Sequence, residues 1–465
     1  MADDAPASRP IRTATDAARW LEGLLDVERR PDVPYERLGL EPIQRLLARV
    51  GEPQRALSVV HVAGSKGKGS TCLLAESLLR AAGERVGTFT SPHLERWTER
   101  FRIDGAEVPG DRLAAAVERL RPEVEALRAE DPARAPTFFD VTTAAAFLLF
   151  RDAAVDRAVI EVGLGGRLDS TNVVDPAVAC ITTIELEHTD RLGTTHAAIA
   201  REKAGILKRG RPAVSGRLVP EAMAVVEARA RELAAPLAVR GRDFDFTLLG
   251  SDLGGLRLRL RDGDLDVEAT LPILGTHQAE NAALALACVR RLGVYDAPAL
   301  AAAAKAGFAG AALPGRVELL SRAPWVVVDG AHTSESARAL AAALAALPRR
   351  RARLVLSVSA GKDLEAIVSA LAPAFDEVTV TRVEPARSLD PAAVAAAVRA
   401  LAPGVVLHAV PNPHMALRAA REGLGDGDLL CATGSIYLAG LARRVLAAGA
   451  AGAGGGTGGD DAARG

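Results

Sequence analysis

The chain is predicted to be an α/β protein of two domains, each built on a mostly parallel sheet covered by helices. Three observations predict this. Short β-branched runs alternate with Ala/Leu-rich helical patterns along most of the 465 residues. The first such run opens onto a glycine-rich, lysine-bearing turn, and the alternation breaks at Pro314-Gly315 and then restarts. The expected division is 1–312 for the first domain, 313–447 for the second and 448–465 for a disordered Gly/Ala/Asp tail, which has too little apolar surface to offset its ordering entropy.

In the first domain the predicted strands are Val59 to Val62, Val86 to Thr90, Ala158 to Ile160, Val178 to Ile184 and Pro212 to Ser215. Phe244 to Leu249, Leu256 to Leu260 and Leu265 to Leu271 read as a small antiparallel addition with glycine turns, and helices follow at Gln278 to Leu292 and Ala297 to Ala306. In the second domain the predicted strands are Trp325 to Val328, Leu354 to Val358, Glu377 to Val380, Val405 to Val410 and Leu429 to Ala432. Each leads into a helical pattern, which gives a Rossmann-like, doubly wound arrangement.

Composition narrows the function. Hydrophobic residues make up 49% and charged residues 25%, enough for large cores, and the net charge of −1 lacks the basic balance of a nucleic-acid binder. No stretch has a spanning length free of charge, and the start carries no basic-then-apolar leader. Cys72, Cys180, Cys288 and Cys431 form no C-x-x-C pair and read as buried thiols. The expectation is a cytoplasmic, monomeric protein with small-molecule partners, binding neither nucleic acid nor membrane.

The segment from His61 to Ser70, HVAGSKGKGS, reads as a strand, a phosphate-cradling loop and a helix start. Glycines 64, 67 and 69 let successive N–H groups converge, the helix dipole adds positive potential, and Lys68 supplies a formal charge. Against the general P-loop pattern it is a shortened variant, because Val62 stands where the first glycine belongs and Gly69 separates Lys68 from Ser70. A parallel sheet presents its ligands at the carboxyl ends of its strands. Ser91, Glu161 and His188 all stand there; the hydroxyl and carboxylate suit Mg²⁺, whereas His188 reads on spacing alone as either a loop histidine or a second ligand. After Glu161 the turn Val162 to Ser170 carries three glycines, with Arg167 and Asp169 placed to meet a carboxylate and a polar ring. Lys203, on its own, reads as a solvated helix lysine. In the second domain Asp329-Gly330-Ala331-His332 ends a strand, and Arg316 lies in the hinge.

Together these motifs resemble the folylpolyglutamate synthase and dihydrofolate synthase family, a branch of the Mur ligases. The resemblance spans Trp20 to Tyr437 and rests on His61 to Ser70, Thr90 to Leu94 (TSPHL), Glu161 to Asn172 (EVGLGGRLDSTN), Glu187-His188, Arg201 to Ile206 (REKAGI), His277-Gln278 with Asn281, Pro314-Gly315-Arg316 and Asp329 to His332. It implies ATP as cosubstrate, with Lys66, Gly67, Lys68, Gly69 and Ser70 on its phosphates and Asn281, Arg316 and Asp329 also contacting the nucleotide. It implies two Mg²⁺ sites, one held by Ser91 and Glu161 and one by His188, and a Lys203 that can carry a carbamate. Lys68, Lys203 and His332 form the implied catalytic set. Gly39, Thr137, Phe138, Phe139, Asp140, Leu168, Asp169 and Ser170 correspond to positions that bind the pteroate side of the acceptor.

The implied reaction adds L-glutamate to dihydropteroate, to a reduced folate, or to both, through an acyl phosphate. The chain departs from the family at Lys66 (usually Asn), Glu187 (usually Asp), Asp140 (commonly Glu) and Thr333 (often Asn). Two rivals stand beside this reading: a Mur-type ligase acting on another carboxylate, and a non-catalytic ATP-driven switch. The extra glycine at position 69, and the expectation that no nucleotide-sugar domain precedes residue 59, argue against the first.

Overall fold

The computed structural model describes residues 10–26 and 39–451. The chain divides into two compact units: Met1–Gly250 with Leu256–Pro272 and Gln278–Ala311, and Ala312–Gly465 with the short segments Ser251–Gly255 and Ile273–His277. The expected hinge at Pro314-Gly315 thus lies three residues into the second unit, and two short pieces read as first-domain sequence group with the second. The last helix, Ile436–Ala451, continues past Ala448, where the tail was expected to begin; the remainder of that tail lies outside the described residues.

The first unit contains an eight-stranded sheet: β1 (Val59–Ala63), β2 (Val86–Phe89), β3 (Phe101–Ile103), β4 (Ala106–Glu107), β5 (Arg157–Glu161), β6 (Val178–Ile181), β7 (Ala213–Ser215) and β8 (Leu237–Val239). Their order is β4-β3-β2-β5-β1-β6-β7-β8. β1 pairs in parallel with β5 and β6 and is buried along its whole length, as a central strand covered on both faces must be. The antiparallel edge formed by β3 and β4 was not legible in the sequence, since strands of two or three residues show no periodicity. The expected antiparallel addition forms a separate sheet of β9 (Phe244–Asp252), β10 (Gly255–Asp262) and β11 (Leu265–Leu271), ordered β11-β10-β9. In β11 buried and exposed residues alternate strictly, the mark of a sheet with one solvated face.

In the second unit β12 (Glu318–Arg322), β13 (Trp325–Val328), β14 (Ala352–Leu356), β15 (Glu377–Val380), β16 (Val406–Ala409) and β17 (Leu429–Thr433) form a sheet ordered β12-β13-β17-β14-β15-β16. All neighbours are parallel except β12, which adds antiparallel to β13 and makes the sheet mixed. β17 returns between β13 and β14, and Asp329 stands at the carboxyl end of β13.

The helix after β1, Lys68–Ala81, is buried against Gln278–Arg290 and Ala297–Ala309. The approach of Ala297–Ala309 depends on Gly307: a β-carbon there would lie 2.7 Å from the Ser77 carbonyl oxygen and 3.0 Å from Leu78 Cα. Alanine normally favours a helix over glycine by about 1 kcal/mol, but overpacking against backbone costs about 1–3 kcal/mol. Gly307→Ala is therefore expected to lower the urea midpoint of unfolding; an unchanged or raised midpoint would contradict this packing.

Candidate active site

The phosphate-type loop occupies the carboxyl end of β1, and its glycines are there for steric reasons. Gly64 has φ +150° and a β-carbon on it would lie 1.9 Å from Thr182 Oγ1; Gly67 has φ +81° and its β-carbon would lie 2.3 Å from Asn281 Oδ1. Asn281 therefore rests directly on the loop, held by its amide to Gln278 Oε1 at 2.8 Å. The strand end beyond β6 braces the other side. Ser65 N–H donates to the Thr183 carbonyl at 2.8 Å, Lys66 N–H donates to Thr183 Oγ1 at 2.8 Å, and Ser65 Oγ accepts from Glu185 N–H at 2.9 Å.

Three lysines converge on this loop. The Gly64 carbonyl accepts from Lys68 Nζ at 3.0 Å and from Lys203 Nζ at 2.9 Å. Glu187 bridges Lys203 (3.2 Å) and Lys66 (3.5 Å). Lys203 is only 2% exposed, so it is not the solvated helix lysine that its spacing suggests. Burial, helped by the charge of Lys68, brings the Lys203 ammonium down to about 8 against the pull of Glu187. Burial pushes Glu187 up, but Lys68, Lys203, Lys66 and His188 outweigh it and hold the carboxyl at about 2. Three ammonium groups against the Glu187 carboxylate leave the loop cationic.

At the ends of β2 and β5, Ser91 N–H donates to Glu161 Oε2 at 3.0 Å, so these two predicted ligands do meet. Ser91 caps no helix. His188 adopts a left-handed conformation, φ +47°, at the start of Thr189–Leu192. Among the described residues no group of three or more His, Cys, Asp or Glu side chains is arranged to hold a metal. A hydroxyl and one carboxylate still fit Mg²⁺, which keeps several waters and takes its other ligands from substrate phosphates.

All eight residues that the resemblance places on the acceptor side line one cavity of about 290 Å³: Gly39, Thr137, Phe138, Phe139, Asp140, Leu168, Asp169 and Ser170. Thr137 and Asp140 form a capping box that starts the helix Phe138–Asp152, with Thr137 Oγ1 donating to Asp140 Oδ2 at 2.8 Å. The other Asp140 oxygen accepts from Ser170 Oγ at 2.7 Å, and burial pushes this carboxyl up against the pull of those hydrogen bonds. Phe139 packs over Gly163, where a β-carbon would lie 2.5 Å from the ring. Arg167, whose position suggested a partner for a substrate carboxylate, pairs with Glu202 at 3.0 Å.

In the second unit the loop after β13 brings Arg316, Asp329 and His332 into one neighbourhood. Asp329 accepts from Val317 N–H and Ala331 N–H, both at 2.7 Å. His332 Nδ1 lies 2.8 Å from the Gly330 carbonyl, and Arg316 donates to the Pro314 carbonyl at 2.9 Å. Thr333 serves as the N-cap of Ser334–Ala345.

The Mur ligase middle domain family matches residues 62–289, and the Mur ligase glutamate ligase domain family matches residues 315–436. The dihydrofolate synthase/folylpolyglutamate synthase of Mycobacterium tuberculosis is 39% identical over 401 residues, covering 81% of this chain and 82% of that protein. The chain belongs to the dihydrofolate synthase/folylpolyglutamate synthase family of Mur ligases. It is an ATP-dependent enzyme of the ADP-forming acid–amino-acid ligase class. The crystal structure of Mycobacterium tuberculosis folylpolyglutamate synthase complexed with ADP and AMPPCP superposes with a TM-score of 0.81 at 36% identity, covering 92% of this chain and 98% of that one. The bifunctional enzyme from Yersinia pestis complexed with AMPPNP and Mn superposes with a TM-score of 0.80 at 31% identity, covering 95% and 100%.

Sequence reasoning missed several parts of the ligase. Glu187 entered only through the Glu187-His188 motif and as a departure from the family's usual aspartate, although a carboxylate between Lys66 and Lys203 is what the fold makes of it. Trp97 and Arg100 frame the aromatic wall: Trp97 packs 5.0 Å from both His93 and Phe138, with the Arg100 guanidinium 4.7 Å from the Trp97 ring. Nothing in the spacing from Trp97 to Phe138 predicts that contact. Leu25, Pro42 and Arg191 also line the cavity.

Burial pushes Asp329 up to about 6, against the pull of its two N–H donors and Arg316. Its folded pKa exceeds its ordinary value of 3.8. Between the two the folded chain holds the proton and the unfolded chain does not, so the contribution is full below about pH 4 and is lost as pH rises toward 6. The loss is roughly 3 kcal/mol at most. Urea unfolding from pH 4 to 7 should show this decline in the wild type and a flatter profile in Asp329→Asn; parallel profiles would contradict it.

Proposed function

We propose that the ligase adds L-glutamate to dihydropteroate and to reduced folates, carrying both activities. The observation that supports this most strongly is one cavity: eight residues from three separate segments, Gly39, Thr137 to Asp140 and Leu168 to Ser170, come together in the unit that also holds the phosphate loop. Its phenylalanine wall suits a flat heteroaromatic ring, and Asp169 with Ser170 offers polar partners for the ring edge.

In this reading Lys66 to Ser70 cradle the ATP phosphates and Asn281 contacts the nucleotide from its seat on Gly67; Arg316 and Asp329 are further proposed nucleotide contacts. Ser91 and Glu161 would hold one Mg²⁺ and His188 a second; when bound, the metal spreads charge developing on the phosphate oxygens. The acceptor carboxylate attacks the γ-phosphorus in line, ADP leaves, and an acyl phosphate results. Lys68, fixed by two loop carbonyls at 3.0 and 3.5 Å, is pre-aimed at the transferring group. The glutamate amine then attacks the acyl carbon and phosphate leaves with the bonding pair, forming the amide. Lys203, brought to about 8, has access to the neutral amine that adds carbon dioxide, which would turn it into an anionic oxygen ligand. His332 completes the catalytic set. The four cysteines, buried and in no disulfide, suit the reducing cytoplasm, and we take the enzyme to act as a monomer.

ADP release, measured with ATP and Mg²⁺ and each acceptor in turn, is expected to require L-glutamate with both dihydropteroate and a reduced folate. Dependence with one acceptor alone would reduce the assignment to that activity, and release indifferent to glutamate would favour the ATP-driven switch. Lys68→Met should lower kcat by about 100-fold or more. A kcat near that of the wild type would remove Lys68 from the mechanism.

A further inference from the structure

We propose that His61, acting through the Thr171 hydroxyl, is a positioning residue that sets the Asp169 carboxylate in the acceptor cavity. The inference rests on the reading of that cavity given above. His61 lies in β1, wholly buried, three residues before Gly64, and its Nε2 is 2.8 Å from Thr171 Oγ1. Thr171 Oγ1 in turn donates to Asp169 Oδ1 at 2.5 Å. Asp169 also accepts from Thr171 N–H at 3.0 Å and, through Oδ2, from Leu164 N–H at 2.8 Å.

The proton count fixes the direction of this chain. Three donors converge on Asp169, which marks it as an acceptor-only carboxylate. The one Thr171 proton is committed to it, so the Thr171 oxygen must accept, and His61 Nε2 must carry the hydrogen. Burial, reinforced by the charge of Lys208, pulls His61 down to about 3, so the ring is neutral and has one N–H to give. Its Nδ1 is buried with no hydrogen-bond partner, which is the atom left bare by that tautomer. A histidine that leaves a polar nitrogen unsatisfied is a poor choice for packing alone. It is a sound choice for holding one hydroxyl in one rotation. The neighbouring Ser170 ties the turn Ser170–Val173 to Asp140 at 2.7 Å, and Ser170 and the turn's N-cap Asp169 both line the cavity. The hydrogen-bond chain runs from β1 to a carboxylate that lines the acceptor cavity.

The test is steady-state kinetics of variants, with dihydropteroate or a reduced folate as the varied acceptor and ATP varied separately. Thr171→Val is expected to raise the acceptor KM about tenfold while the ATP KM and kcat stay within about twofold, and Thr171→Ser is expected to restore the wild-type value. His61→Gln, whose amide N–H reaches the Nε2 position, should resemble the wild type, and His61→Asn, whose amide falls short, should resemble Thr171→Val. This second pair carries the test if Thr171→Val does not fold. An unchanged acceptor KM in Thr171→Val, equal rises for acceptor and ATP, or failure of His61→Gln to outperform His61→Asn would each overturn the proposal. Wild-type turnover that does not saturate with acceptor would instead bring down the reading of the cavity itself.

Discussion

The Gly64 carbonyl oxygen is the point on which the candidate active site turns. It accepts from two ammonium groups, Lys68 and Lys203, that arrive from different helices, and this is possible only because Gly64 lies flush against Thr182 with no β-carbon between. With Lys203 unmodified, the Gly64 carbonyl and the Glu187 carboxylate face three lysines, of which Lys203 is buried and Lys66 and Lys68 are partly exposed. The arrangement is short of negative charge by design of its geometry. In the function proposed above, nucleotide phosphates supply what is missing, and Lys66 and Lys68 need no reorganisation to receive them.

The sheet explains why these groups meet. β1 lies between β5 and β6, so the loops after β1, β5 and β6 all open at one edge, and the loop after β2 adds Ser91 one strand further out. The same loop that begins with Glu161 ends with Asp169 and Ser170 in the cavity wall. A single connection thus joins the predicted metal acid to the acceptor side. Gly163 and Gly166 let that connection run close beneath Phe139 and against the end of the helix bearing Lys203.

Much of this was legible in the sequence because parallel strands buried on both faces read as continuous apolar runs, and because glycine, lysine and acid at strand ends are costly to place without purpose. The strand cores of β1, β2, β5, β13 and β15 were located within a residue or two for that reason. Short antiparallel edges were not, since β4 spans two residues and β12 adopts its direction only through pairing with β13. Lys203 shows the sharper limit: its helical spacing says surface, yet it is buried where its ammonium meets the Gly64 carbonyl and Glu187, partners far from it in sequence. His61 and Thr171 were invisible as a pair, being 110 residues apart.

The central claim is that a preorganised cationic cradle at Gly64 carries nucleotide affinity through the phosphates. Isothermal titration calorimetry of ATP, adenosine and inorganic tripolyphosphate tests it most directly. The account predicts that tripolyphosphate competes with ATP and that adenosine binds about 100-fold more weakly than ATP. Adenosine binding as tightly as ATP, or tripolyphosphate failing to compete, would contradict it.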